Sequence, residues 1–372
     1  MIYSIFPELD ATMYEYFPTI NTGIDQVLEL VKYTSHSISY NNNIFASNYN
    51  SRILMQFNLA DISSSIASGE ISGDCQFFLN LRSCEVTDTA ISQSIYAYAA
   101  SGSWKNGQGN FNDSPSITEG VSWQYKSSYA LGDAWPTGSY AANTTGSWIA
   151  TSGGGNWYTS SLLVASQSIN YTAPDFRIDV TNIVKQWMSS SIVNNGFIIK
   201  RSDFDETSSE ILGSVKFFSK DTHTIYVPRL DVAWNDTSLV TASVSQISDE
   251  NFVIYMKNLA NQYYELDKVK LRLGVRAQYP VTTYATASNY ISLNRLPTSS
   301  YYEVRDAYSN DIIIPFDTTY TKISCDSSGN YFNIHMNAMF PDRYYKFIIK
   351  TVETGITKYH DNSFNFKIAK AN

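Results

Sequence analysis

The residues best suited to chemistry occur between positions 101 and 157, where carboxylates lie among tryptophans. The carboxylates are Asp113, Glu119 and Asp133, and five of the chain's seven tryptophans are in the same region: Trp104, Trp123, Trp135, Trp148 and Trp157. Two carboxylates about 5 to 10 Å apart can cleave a glycosidic bond, one as an acid and the other as a base or nucleophile. Spacing in the sequence does not give that distance, and we predict that these three are solvated loop carboxylates.

The tryptophans of this region have three interpretations. Their faces can stack on sugar rings, or they can anchor an interface with another protein, since each buries a large rigid surface at little entropic cost. Long loops are also packed by their own aromatic side chains. We therefore treat the five tryptophans as candidate binding or interface residues, with packing inside the domain as the alternative.

Motifs of other enzyme classes are absent from the sequence. The four histidines, His36, His223, His335 and His360, are scattered and lack the spacing of a zinc site. No Gly-x-Ser-x-Gly sequence marks a nucleophilic serine. The glycines at 153–155 are not followed by the Lys-Ser/Thr pair of a phosphate-binding loop. We predict a protein that is not an enzyme and has no catalytic residues.

Metal binding has only a weak sequence signal. The turns at 203–206 (DFDE) and 325–330 (CDSSGN) carry oxygen ligands of the kind that calcium prefers. Neither turn has the full spacing of an EF-hand loop. We predict no cofactor, and a structural calcium ion stays open without a motif that indicates it.

Alternating apolar and polar residues dominate the chain and predict an all-β fold. Segment 266–276 is the clearest example, because it has one apolar and one basic side. The apolar side is Val269, Leu271, Leu273 and Val275, and the basic side is Lys268, Lys270, Arg272 and Arg276. Six further segments alternate in the same way: 52–59, 76–82, 196–200, 252–256, 344–350 and 364–368. Strands with one wet face are expected throughout.

A single short amphipathic helix is predicted in segment 179–191. Its apolar residues recur at helical spacing: Val180, Ile183, Val184, Trp187 and Met188. Asp179 or Thr181 can cap its start, because either side chain can accept from a free N–H of the first turn. Trp187 is predicted to be the structural anchor of the buried face. Segment 22–30 is predicted to be a weaker helix or an irregular stretch.

Length and composition divide the chain into two parts. At 372 residues it predicts two or three domains. The composition changes near 235–238, which places an N-terminal domain at 1–235, with a Trp-rich loop insert at about 101–157. The C-terminal β-domain then covers 236–372, as one domain or two small subdomains.

Charge and composition exclude several classes of partner. Aromatic residues reach 15% and charged residues only 16% of the chain, against about 25% in ordinary soluble proteins, which excludes disorder and coiled coil. The net charge of −8 has the wrong sign for binding nucleic acid. The sequence has no apolar run of about 18 residues that would predict a membrane span, and its N-terminus does not resemble a signal peptide. We expect free thiols at Cys75, Cys84 and Cys325.

Four separated blocks carry a resemblance to a known family. In order, they are DATMYEYFPTINTGIDQVLELVK, SRILMQFNL, FRIDVTNIVKQWMSSSIVNNGFIIK and VKFFSKDTHTIYVPRLDVAW, within residues 8–235. Together they resemble DNRLRE-type modules, which are related to disaggregatase and carbohydrate-binding modules. The resemblance implies an N-terminal jelly-roll β-sandwich. The insert SWKNGQGNFNDSPSITEGVSW and the C-terminal segments 301–317 and 321–352 are similar to parts of tailed-phage structural proteins.

These resemblances imply a function in a phage particle. We expect a non-enzymatic structural component of a tailed-bacteriophage virion (baseplate, tail fibre, neck or head decoration), made in the host cytoplasm without a signal peptide. Its partners would be other virion proteins and copies of itself, and the low charge and high tyrosine content favour such packing. The alternative is a carbohydrate-binding or host-receptor-binding module that attaches to surface polysaccharide through the Trp-rich region.

Overall fold

The computed structural model describes residues 1–35, 39–40, 43–44, 47–87, 92–136, 138–142, 146–150, 153–240, 244–248, 251–279 and 293–371. Strands make up 47% and helices 8% of the structure, which confirms the all-β prediction. The chain divides into two compact units, one of Ile5–Asp231 and one of Met1–Ser4 with Val232–Asn372. The sequence-based boundary at 235 lies four residues beyond this division and did not assign Met1–Ser4 to the C-terminal unit.

Up to residue 233 the chain consists mainly of short strands. They are β1 (Ile2–Ile5), β2 (Leu9–Tyr14), β3 (Val27–Ser35), β4 (Ser39–Tyr40), β5 (Asn43–Ile44), β6 (Ser47–Gln56), β7 (Gln76–Leu81), β8 (Ser83–Thr87), β9 (Gln93–Ala99), β10 (Gly138–Ala142), β11 (Gly146–Ala150), β12 (Asn156–Tyr158), β13 (Val164–Ile169), β14 (Phe176–Asp179), β15 (Phe197–Arg201), β16 (Gly213–Phe218) and β17 (Arg229–Ala233). The helices are α1 (Ala60–Ala67), α2 (Thr181–Met188) and α3 (Asp203–Thr207), and a 3₁₀ turn covers Ser161–Leu163.

The main sheet of the larger unit is curled and has eight strands. Its order is β13-β9-β15-β6-β3-β16-β8, with β2 paired to β6. A second sheet runs β1-β17-β7-β14, and β10-β11-β12 and β4-β5 form two small sheets. All five residues of β15 are buried, because both of its faces are covered. The second sheet packs on the main sheet, where Phe176 of β14 contacts Phe217 of β16 with ring centroids 6.4 Å apart.

The helices agree with the sequence analysis only in part. α2 begins at Thr181, whose backbone N–H donates to Asp179, while the Thr181 hydroxyl accepts from the N–H of Phe77. α1 and α3 were not predicted, so the expectation of a single helix is wrong. Segment 22–30 is a turn followed by β3 rather than a helix, because the apolar residues Leu28 and Leu30 alternate along a buried strand.

The C-terminal unit is built from two larger sheets. Its strands are β18 (Ser245–Gln246), β19 (Phe252–Met256), β20 (Gln262–Tyr264), β21 (Lys268–Ala277), β22 (Asn294–Arg295), β23 (Ser299–Asp306), β24 (Ile312–Ile314), β25 (Ser324–Asp326), β26 (Gly329–His335), β27 (Arg343–Glu353) and β28 (Ile356–Ala369). The sheets are β19-β21-β26-β25 and β20-β28-β27-β23-β24, with a small pair β18-β22. Tyr302 of β23 stacks on Phe332 of β26 with centroids 4.2 Å apart, so the two sheets share a core.

The chain contains three cysteines. Cys75, Cys84 and Cys325 are free, as expected from the sequence. Among the residues that the structure describes, no helix is both long and apolar enough to cross a membrane.

Asp10 of β2 is a carboxyl group inside the larger unit. It is almost fully buried and accepts a hydrogen bond of 2.7 Å from the backbone N–H of Lys220. Burial disfavours the charged form and raises the pKa of Asp10 from 3.8 to about 7, although the Lys220 N–H opposes the shift. The folded protein therefore holds this proton at a pH where the unfolded chain has released it.

Replacing Asp10 with Asn tests this prediction. Because the folded pKa is raised, the stabilisation from Asp10 is complete below pH 3.8 and is lost as the pH rises to about 7. The wild-type free energy of unfolding should fall relative to that of Asp10→Asn by up to about 1.4 kcal/mol per pH unit in this window. Urea unfolding across the window measures the difference, and parallel profiles would contradict the prediction.

Candidate functional site

The Trp-rich insert packs on the outer face of the main sheet. Trp104, Trp123, Trp135 and Trp157 are between 1% and 7% exposed and belong to one hydrophobic cluster. Their partners are the sheet residues Ala11, Met13, Leu54, Ala100 and Ile198, together with Val121 of the insert. The insert is therefore a third layer, which we call the cap.

Among the three interpretations of the tryptophans, this burial favours packing inside the domain for these four. A ring that stacks on a sugar or on another protein has to present its face at the surface, and these four rings face the sheet instead. Trp104 and Trp135 also donate indole hydrogen bonds to the backbone carbonyls of Asn195 and Ser122. Trp148 lies in β11, and its side chain falls outside the described part of the structure.

Asn21, in the segment between β2 and β3, holds the loops of the cap. Its side-chain N–H groups donate to the carbonyls of Asn106 and Val121, and its Oδ1 accepts from the N–H of Gly23 and Gly109. A fully buried amide with all of these bonds made is stabilising, whereas a partly satisfied one is costly. The surrounding backbone approaches so closely that a Cβ on Gly109 would lie 2.5 Å from the Asn21 carbonyl.

Arg52 joins the cap to the main sheet. Its guanidinium carbon lies 4.7 Å from the ring centroid of Trp123 and 4.9 Å from that of Trp157. Glu206 of α3 accepts two hydrogen bonds from it, of 3.0 and 2.7 Å, and the Gly154 carbonyl accepts a third of 2.8 Å. A buried arginine is tolerated when its charge is paired and its donors are satisfied, and this geometry supplies both.

Two buried lysines complete the network around Glu206. The ammonium of Lys200 lies 3.0 Å from the Glu206 carboxylate, 2.5 Å from Asp203 and 4.8 Å from the Trp157 centroid. The ammonium of Lys32 donates to the backbone carbonyl of Glu206, and burial lowers the pKa of Lys32. Ser202 caps α3 by accepting from the N–H of Asp205. A serine at this position is a helix-start signal that the sequence itself contains, although α3 was not predicted.

The three carboxylates of the insert stabilise turns of the cap. Asp133 accepts from the Ser127 hydroxyl and pairs with Lys126, and the Ser127 hydrogen bond is the main cause of its lowered pKa. Glu119 accepts from the Ser128 hydroxyl, and Asp113 accepts from the N–H of Asn110. Each of the three carboxylates therefore has a local hydrogen-bond partner within the cap.

The two turns considered for calcium have other roles. Residues 203–206 form the start of α3. In the second turn, Asp326 accepts two hydrogen bonds from Arg272 and one from Lys270, and the Arg272 bonds are the main cause of its strongly lowered pKa. No group of three or more His, Cys, Asp or Glu side chains that could hold a metal occurs in the described residues.

Of the four histidines, His36 falls outside the described part of the chain. His335 packs edge-on against Tyr3 at 5.2 Å, and His360 lies 3.1 Å from the Thr351 hydroxyl. Burial lowers the pKa of His360. Trp187 is buried in α2, and its ring centroid lies 4.7 Å from that of Phe197.

A second group of aromatic side chains, which we call the tyrosine cluster, surrounds the buried Tyr14 and reaches the surface at its other four members. It consists of Tyr14, Tyr16, Phe17, Tyr49 and Phe111. Tyr14 lies 4.9 Å from Phe111, and Tyr16 meets Phe17 at 5.0 Å and Tyr49 at 5.8 Å, both edge-on. Tyr16 is 53% exposed, and Phe17, Tyr49 and Phe111 are half-buried.

Carboxylates border the tyrosine cluster. The Tyr14 hydroxyl donates to Glu29 at 3.0 Å, and Asp25 accepts from the N–H of Phe111 at 3.1 Å. Burial raises the pKa of Asp25 to about 6, with a smaller contribution from Asp113. Exposed aromatic faces beside hydrogen-bonding oxygens are the chemistry of sugar recognition and of protein contact.

No family model matches the chain, and no curated protein matches it. The DNRLRE-type resemblance therefore stays a prediction from the sequence blocks.

Truncating the buried tryptophans tests the structural role of the cap. Trp123→Ala and Trp135→Ala should each lower the free energy of unfolding by about 3–5 kcal/mol, because each leaves a cavity between cap and sheet. Tyr129→Ala, in the same insert but 52% exposed, is the control and should change it by under about 1 kcal/mol. Urea denaturation measures both, and a tryptophan variant of normal stability would contradict this role.

Proposed function

We propose that the protein is a non-enzymatic structural component of a tailed-bacteriophage particle that acts through protein–protein contacts. The exposed apolar side chains are the observation that carries the proposal. Among the residues that the structure describes, seven large ones are at least 70% exposed, on both units: Leu131, Tyr171, Val193, Phe204, Leu266, Tyr279 and Tyr308. Tyrosine and low charge are typical of interface cores. A chain with 16% charged residues and this surface is better suited to an assembly than to free diffusion.

Two further findings support a non-catalytic role. The carboxylates that could have formed a glycosidase pair are each held by turn residues of the cap. The buried charges around Glu206 pair with one another and attach the cap to the sheet. They are too enclosed to contact a substrate. The assignment to a phage particle is supported by the sequence blocks and by the C-terminal segments 301–317 and 321–352.

Mass spectrometry of purified particles tests this proposal. We expect the chain in gradient-purified virions at a stoichiometry that is a multiple of the particle's symmetry, three or six. The contrary result is a chain that is abundant in the lysate but missing from the virions. Imaging of particles carrying a C-terminal tag would then locate the copies on the head, neck, baseplate or fibre.

The tyrosine cluster favours a second function, which is attachment to host surface polysaccharide. Tyr16 is exposed and three other rings of the cluster are partly exposed, unlike the four tryptophans buried in the cap. The neighbouring carboxylates can accept hydrogen bonds from sugar hydroxyls. The same protein can be a particle component and a glycan-binding one, so the two functions are compatible.

Tyr16→Ala should weaken polysaccharide binding by about 1 kcal/mol, because one stacking face is lost. Tyr171→Ala is the matched control, since Tyr171 is 71% exposed and belongs to the same unit away from the cluster. Isothermal titration calorimetry with purified host polysaccharide measures the difference. Absence of binding by the wild type, or equal weakening by the control, would rule out this second function.

A further inference from the structure

One sheet of the C-terminal unit presents a basic outer face. Lys268 and Lys270 of β21 are exposed, Arg272 and Arg276 are half-exposed, and all four project from the side opposite the buried Leu271 and Leu273. Lys257, which follows β19, is also exposed. We call this surface, defined by Lys257, Lys268, Lys270, Arg272 and Arg276, the basic face. Asp326 pairs with Lys270 and Arg272 there, so the five cations outnumber this carboxylate.

Aromatic rings lie between these cations. The ammonium of Lys270 lies 3.6 Å from the ring centroid of Tyr331, and the Arg272 guanidinium lies 5.6 Å from it. Tyr255 covers Gly274 so closely that a Cβ there would lie 2.2 Å from its ring. The basic face therefore offers flat rings as well as charge, which is the composition of a protein-binding surface rather than of a purely solvated one.

The charges of the chain are distributed unequally between the two units. Residues 5–231 contain 12 Lys and Arg against 21 Asp and Glu, whereas the remaining residues contain 14 against 13. The larger unit thus has a net charge of −9 and the C-terminal unit of +1. A basic surface in one unit and an acidic excess in the other attract each other between separate copies of the chain.

The larger unit has an exposed segment that is both acidic and apolar. Phe204 is 78% exposed and Ile211 is 52% exposed, although both belong to a unit with an extensive core. Glu210 is exposed beside them, and Asp203 is exposed too but pairs with the Lys200 ammonium of its own copy. We call residues 203–211 the acidic segment. The network around Glu206 holds its base rigidly, so little conformational entropy is lost when its tip binds a partner.

We propose that the basic face of one copy binds the acidic segment of a second copy, in a head-to-tail contact. This inference rests on the proposed role in an assembly and names the partner. Charge complementarity orients the two copies, and Phe204 supplies an apolar anchor against the rings of Tyr255 and Tyr331. Because the two surfaces are different, the contact is heterologous and continues into a ring or a filament instead of closing as a dimer.

A polyanion is the competing occupant of the basic face. The chain's overall charge of −8 repels a polyanion and a second copy alike at long range, so it does not distinguish the two occupants. An acidic segment, however, is present at the same concentration as the basic face. The exposed Phe204 is also explained by a protein contact and has no role in binding a polyanion.

Sedimentation velocity with three forms of the full chain tests the proposal. Wild type should associate at low ionic strength and dissociate near 1 M salt, where the Debye length falls to about 3 Å. K268E/R276E and F204A/E210K should each associate at least tenfold more weakly. Lys370→Glu and Tyr171→Ala, which alter an exposed cation and an exposed aromatic outside the two surfaces, should associate like wild type.

Mixing the two double variants gives the sharpest result. Each retains one intact surface of the pair, so an equimolar mixture should form a dimer that does not grow further. A mixture that stays monomeric, or a wild-type chain that never associates, overturns the proposal. Circular dichroism establishes that both variants are folded. A monomeric wild type whose K268E/R276E variant loses binding to heparin would instead assign the basic face to a polyanion.

The outcome is separable from that of the proposed function. If the chain is found in purified virions but the mixture stays monomeric, the head-to-tail contact is wrong and the structural role stands. If the mixture dimerises but virions lack the chain, self-association is established and the assignment to a phage particle is wrong.

Discussion

The guanidinium of Arg52, held between the rings of Trp123 and Trp157, is the interaction on which the larger unit depends. One charge is shared by three parts of the chain: strand β6 carries it, the cap covers it, and α3 supplies Glu206 to neutralise it. A cation removed from water is tolerated only while all of its partners are present. The cap, the sheet and α3 are therefore coupled, and loss of one partner leaves a buried charge or an uncovered face.

The β-strands were predictable because their signal is local. The alternating segments at 52–59, 76–82, 196–200 and 252–256 coincide with β6, β7, β15 and β19. The helix at 181–188 was equally visible, since its apolar face repeats within two turns. The short helices were not: α1 is rich in serine and buries only Ile62, and α3 has five residues. Their local signals are Asn58, whose side chain accepts from the N–H of Ala60, and the Ser202 cap, rather than apolar periodicity.

The site could not be predicted, because its residues are brought together from distant segments. Composition indicates that residues 101–157 are rich in tryptophan, but not that the outer face of β6 and β15 is apolar at Leu54 and Ile198 and needs a cover. The tyrosine cluster likewise joins residues 14–17 with Tyr49 and Phe111. Only the fold determines which aromatic residues are enclosed and which remain accessible, and here it favours the packing alternative for four of the tryptophans.

The cap also has an unusual connection to the sheet that it covers. It leaves the sheet after β9 and returns into β13, and these two strands are direct antiparallel neighbours, with Tyr98 opposite Val164. A two-residue turn could in principle join such strands, so the cap is an insertion whose two ends nearly meet. An insertion of this kind could be removed without changing the order of the strands in the sheet. Here the packing energy retains the insertion. The sheet beneath it carries an apolar surface and the Arg52 charge, and a shorter connection would leave both exposed to water.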